Sequence, residues 1–206
     1  YVVSKDITVD PTVTLTIEPG VEVRFGGKFT LVVQGTLYAV GMPDRPITFT
    51  SNSQTPQRGD WQGIEFQNTS TWSTLDHISV KYATDGIASE NGKLTLRNSE
   101  ITMPESYGIN ILNSQIVVEN SQISSSTIGI SISGSNAATV QNNTLRSNGV
   151  GISLIGAVSG VDIRQNTISL SSLGGIEFGA YLYSGLTVLH NTLSAGNYGF
   201  YVSGNA

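Results

Sequence analysis

The chain has no cysteine, so no disulfide stabilises it and cysteine usage gives no reading of redox compartment. Charge is scarce, at 12% of residues, and the basic side is the smaller: ten Lys and Arg against fifteen Asp and Glu leave a net charge of −5. Neutralising phosphates takes clustered cations, so nucleic acid and anionic membrane are not expected as partners. No apolar run approaches the roughly 20 residues of a membrane-spanning helix, and membrane insertion is not expected either. No stretch has helical periodicity. Two separated histidines, His77 and His190, cannot assemble a zinc site without cysteine.

Glycine is plentiful, 23 among 206 residues, above the usual share of about 7%. Its placement is periodic. Gly86-Ile87, Gly108-Ile109, Gly129-Ile130, Gly151-Ile152, Gly175-Ile176 and Gly199-Phe200 recur at spacings of 22, 21, 22, 24 and 24 residues. A second apolar ladder runs Val80, Ile101, Ile123, Leu145, Ile168 and Leu193, and a third runs Leu96, Val118, Val140, Ile163 and Val188. A fixed repeat of this length marks a solenoid, whose units bury their apolar faces only against one another. Between the second and third ladders lie paired polar residues, such as Asn98-Ser99, Asn142-Asn143 and His190-Asn191. The apolar alternation changes parity across each pair, so the strand must bend there. Asn suits the bend because it tolerates the left-handed conformation. Each repeat thus holds three short strands, and the fold class is all-β: a single right-handed parallel β-helix over residues 1–206, with coils of about 22 residues.

At this point the chain resembles the pectate-lyase-like parallel β-helix repeat proteins. The carriers are Asn142-Asn143-Thr144-Leu145 with Gly151-Ile152-Ser153-Leu154, and an opening segment that includes Gly59-Asp60-Trp61-Gln62-Gly63-Ile64. The resemblance implies secreted bacterial origin and an extracellular or cell-surface location. It leaves function open among lyases, hydrolases, epimerases, adhesins and spacers. The chain begins inside a strand pattern and is expected to be a mature or excised domain. Val2, Val3, Ile7 and Val9 are expected to cover the first coil. Nothing after Phe200-Tyr201-Val202 looks like a cap, so a neighbouring domain or chain is expected at that end.

Outward positions of the Gly-Ile strands read Ala88, Asn110, Ser131, Ser153, Glu177 and Tyr201, a single acid. Glycoside hydrolysis needs two carboxylates flanking the bond. Asp162 and Glu177 fall on different strands and read as surface acids. Both histidines sit at bend positions, so neither is assigned as a base. No catalytic residue and no metal ligand is therefore assigned; no cofactor is expected, although a surface calcium ion is allowed near Asp76, Asp85 and Glu90.

Aromatics give the stronger signal, because sugars stack on Tyr and Trp beside polar groups. The connections after the Gly-Ile strands lengthen towards the C-terminus, and the longest is read as a loop carrying Tyr181 and Tyr183. With Tyr198, Tyr201 and Glu177 these form the expected carbohydrate-binding patch. Trp61 reads as a packing residue and Trp72 as exposed. The expected function is a noncatalytic extracellular module binding polysaccharide. The alternative is a carbohydrate-active enzyme, whether polysaccharide lyase, glycoside hydrolase or epimerase. A structural spacer or an ice-binding solenoid is a further alternative, the latter resting on stacked Thr144, Thr167 and Thr192.

Overall fold

The computed structural model describes residues 1–134, 137–194 and 196–202, except for the side chains of residues 180–182. Every third strand of the chain joins the same sheet. This gives two nine-stranded sheets and one eight-stranded sheet, parallel at every strand pairing. We call sheet A the one that begins with Val2–Val3 and Glu22–Phe25, sheet B the one that begins with Ile7–Val9 and Thr30–Val33, and sheet C the one that begins with Thr14–Ile17 and Thr36–Val40. The described residues contain no helix, and the chain winds as one right-handed solenoid with three strands per coil.

The three apolar ladders face inward as their period requires. Ile87, Ile109, Ile130, Ile152 and Ile176 are fully buried and in register on successive coils of sheet B. The glycine preceding each of them has a steric origin. A Cβ on Gly86, Gly108, Gly129, Gly151 or Gly175 would lie 2.5 or 2.6 Å from the carbonyl oxygen of the equivalent glycine one coil on. The coils are therefore too close at this column for any side chain.

The polar pairs between sheets C and A divide their work. The first member takes the left-handed bend, with φ of 50° at Asn98, 56° at Gln165 and 55° at His190. The second member turns inward and links coils. Asn143, Asn166 and Asn191 each accept a backbone N–H from the preceding coil, at 2.9, 3.0 and 2.9 Å, and each donates to a carbonyl of that coil at 2.9 Å. Buried amide groups are thereby satisfied where the backbone leaves the sheets.

Two local expectations change. Val2–Val3 and Ile7–Val9 are not a cover. They pair with Glu22–Phe25 and Thr30–Val33 as ordinary first-coil strands of sheets A and B. The lengthened connections are not loops either, for strand continues through Val150–Ser159 and Gly174–Ser184. Each supplies the other's backbone partners beyond a register shift between Ile155 and Ala157, so the two insertions extend together. Tyr183 thus belongs to a strand; the side chain of Tyr181 lies outside the described residues. Trp61 is fully buried and stacks on Phe25 at 4.0 Å, whereas Trp72 is exposed.

Candidate functional site

Outward residues of sheet B stand in columns one coil step, about 4.8 Å, apart. One column runs Glu65, Ala88, Asn110, Ser131, Ser153, Glu177 and Tyr201. It holds a second acid, Glu65, which the periodic reading left out by starting one coil too late. The dyad Gly63-Ile64 lies 23 residues before Gly86-Ile87 and was the signal that would have found it. Glu65 follows Ile64, whose side chain is buried, and so must face outward.

A second column runs Tyr107, Ile128, Val150, Gly174 and Tyr198. Asp85 stands one coil before Tyr107 and accepts its backbone N–H at 3.3 Å. Glu65 and Asp85 border one groove of about 470 Å³, together with Glu90, Asn110 and Thr84. Burial pushes the Asp85 carboxyl above the ordinary aspartate value, and the charges of Glu65 and Glu105 add to this against the Tyr107 hydrogen bond. The hydroxyl oxygen of Thr84 is buried with no hydrogen-bond partner among the described residues.

The far end of the same face is aromatic. Tyr198 and Tyr201, with ring centroids 5.5 Å apart, border a groove of about 460 Å³ with Leu173, Asn197 and Glu177. Of the five residues expected to form a sugar patch, Tyr198, Tyr201 and Glu177 come together here. Glu177 also accepts the Ser153 hydroxyl at 3.0 Å, which orients it. Tyr183 is not among the residues bordering this groove; it meets the edge of Phe178 at 5.9 Å.

Asp76 does not join the acids of sheet B. It ends a sheet C strand and binds Arg97 Nε at 2.8 Å, Asn98 Nδ2 at 2.9 Å and His77 Nδ1 at 2.7 Å. Burial alone would raise its carboxyl, but these hydrogen bonds and the His77 and Arg97 charges outweigh it and hold the carboxyl below the ordinary value. Asp162 lies on sheet C, paired with Arg164 at 3.0 Å, on a different sheet from Glu177. Among the described residues no group of three or more His, Asp or Glu side chains is placed to hold a metal ion. Thr144, Thr167 and Thr192 stack as expected on sheet A, but the adjoining outward column reads Arg146, Ser169 and Ser194.

Among solved structures, endopolygalacturonase I from Stereum purpureum, in complex with two galacturonate, has a TM-score of 0.56 and 16% identity, covering 99% of this chain and 94% of its own. Alginate lyase from Paenibacillus sp. has a TM-score of 0.39 and 13% identity, covering 98% and 99%. At these identities the likeness concerns the fold. No curated protein sequence matches the chain. A pectate-lyase-like β-helix domain model matches residues 1–96, and the model of the right-handed β-helix region matches residues 62–206, well over half of the chain. The parallel three-sheet winding and this match agree, and the chain belongs to the right-handed β-helix family.

Proposed function

We propose that the chain is a carbohydrate-active protein of the extracellular space that hydrolyses glycosidic bonds in a polysaccharide laid along the outer face of sheet B. The observation that carries this reading is the convergence of Glu65 and Asp85, from neighbouring coils, on one groove. Two carboxylates flanking the scissile bond are what glycoside hydrolysis requires. Asp85, held towards its protonated form, gives its proton to the glycosidic oxygen as the bond to the anomeric carbon breaks. Water adds to that carbon, and Glu65 takes the proton that the water releases. The Asn110 amide is suited to sugar hydroxyls.

Lyase chemistry has less support, because no Lys, Arg or His borders the acidic groove among the described residues. Abstracting a proton beside a uronate wants a base and a cation there. The likeness to a polygalacturonase fold supports a saccharide ligand only in general terms.

The test is release of reducing ends from a panel of polysaccharides. Wild type should release them, and Asp85→Asn and Glu65→Gln should lower the rate at least about 100-fold, with retention on the polymer kept. Loss of retention in step with activity would make these residues binding groups only. Retention without release from any polymer favours the second reading, a noncatalytic module, for which the Tyr198 and Tyr201 pair is the specific support.

A further inference from the structure

The two grooves share a property that neither shows alone. None of the ten Lys and Arg residues lies on a strand of sheet B. Arg24, Lys81 and Arg146 are on sheet A, while Lys93, Arg97 and Arg164 are on sheet C. Lys5, Lys28, Arg45 and Arg58 fall in connections, and Arg58 turns its guanidinium to Met103. Acids occupy the sheet B face instead: Glu65 and Glu90 at one end, with Asp85 beside them, and Glu177 at the other. Between them the column carries Ala88, Asn110 and the buried Ser131 and Ser153. From Glu65 to Tyr201 the face runs six coil steps, about 29 Å at about 4.8 Å each, without a cation on its strands.

On the reading that this face binds a polysaccharide, we propose that its polymer is uncharged, and that the acids select neutral polysaccharides against polyuronates. A polymer bearing a carboxylate on every sugar would set those charges against Glu65, Glu90 and Glu177 with no strand cation to pair with, and like charges at a binding face cost affinity strongly. A divalent cation could bridge two carboxylates, but the described residues hold no three-acid cluster to seat one. A neutral sugar meets none of these penalties. Its hydroxyls can donate to the carboxylates and bond the Asn110 amide, and its ring faces can pack on Tyr198 and Tyr201.

The comparison that isolates charge uses polygalacturonate beside the same polymer after chemical reduction of its carboxyl groups, with a panel of neutral galactans, glucans and mannans. Retention is measured by affinity electrophoresis, once in chelator and once in calcium. At least one neutral polymer should be retained, and polygalacturonate should be retained at least about tenfold more weakly than that polymer in both conditions. Glu90→Lys, an exposed change outside the proposed reacting pair, should narrow that gap. Polygalacturonate retained as well as the best neutral polymer, in either condition, overturns charge selection. If it is also cleaved in a manner lost in Asp85→Asn, the hydrolytic reading survives that failure. If no neutral polymer is retained, charge selection falls; if in addition nothing is cleaved, the hydrolytic reading falls with it.

Discussion

The backbone N–H of Tyr107 donates to the carboxylate of Asp85 across one coil step, at 3.3 Å. Standing alone, that bond would favour the ionised acid. Burial, with Glu65 and Glu105 nearby, acts the other way and prevails, so Asp85 is raised above its ordinary value. The folded state therefore binds this proton more tightly than the unfolded chain does. The stability it contributes is full below the unfolded value of about 3.9 and is lost as pH rises through the folded value. Wild-type stability should fall over that window, measured by thermal unfolding against pH, and Asp85→Asn should flatten the fall and equal or exceed wild type at neutral pH. An Asn variant that loses stability at every pH would mean that the charged form is the one the fold needs.

Asp76 should behave with the opposite sign. Its carboxyl is lowered, so its contribution is present above about 3.9 and is lost as pH falls through the folded value. Asp76→Asn should cost about 1 to 2 kcal/mol at neutral pH, the lower part of the range for hydrogen bonds to a charged group, because Arg97 is partly exposed. The acid-induced loss of stability should shrink by a similar amount. Unchanged acid sensitivity in the variant would place that sensitivity elsewhere.

Those two acids show where sequence reading succeeds and where it stops. Period alone placed Ile130 and Val140 inward and His77 and His190 at left-handed bends, because a solenoid repeats its geometry every coil. It could not place Asp85, which lies outside the Gly-Ile alternation and becomes a site residue only because the connection before the strand carries it to the groove of Glu65. Nor could it see that the insertions around Ile155 and Leu182 pair with each other, since a pairing between two irregular segments leaves no period to read. The glycines were legible as positions but not as a cause. Their reason is the approach of the next coil's carbonyl, which only three-dimensional register reveals.

That approach gives a direct test. A Cβ on Gly129 would lie 2.5 Å from the Gly151 carbonyl oxygen, 2.9 Å from Leu145 Cδ2 and 3.0 Å from Asn148 Nδ2. Asn148 is itself committed, through bonds to Ser126 at 2.7 and 3.1 Å and to the Ile123 carbonyl at 3.1 Å. Backbone on one side and a fixed amide on the other leave little room to yield, so Gly129→Ala should cost about 1 to 3 kcal/mol, as overpacked cores do. Gly174→Ala is the control, because its Cβ would meet only the Tyr198 carbonyl oxygen at 3.6 Å. Chemical denaturation of the two variants should separate them clearly; equal stabilities would refute the close-coil explanation of the repeated dyad.

The aromatic end of the face yields the last prediction. Tyr198 is more exposed than Tyr201, at 56% against 44%, and both rings border the groove that contains Glu177. Tyr183 is also exposed, yet it packs on Phe178 and is not among the residues bordering that groove. If ring stacking on this groove holds a polymer, Tyr198→Ala and Tyr201→Ala should each weaken retention by about 1 kcal/mol, a several-fold change in affinity, while Tyr183→Ala leaves retention unaltered. Because the two rings touch, the double variant should lose something other than the sum of the single losses. Loss of retention in Tyr183→Ala as large as in the other two would move the sugar contact onto the extended strands around Phe178. Unchanged retention in the double variant would leave the acidic groove as the binding element by itself.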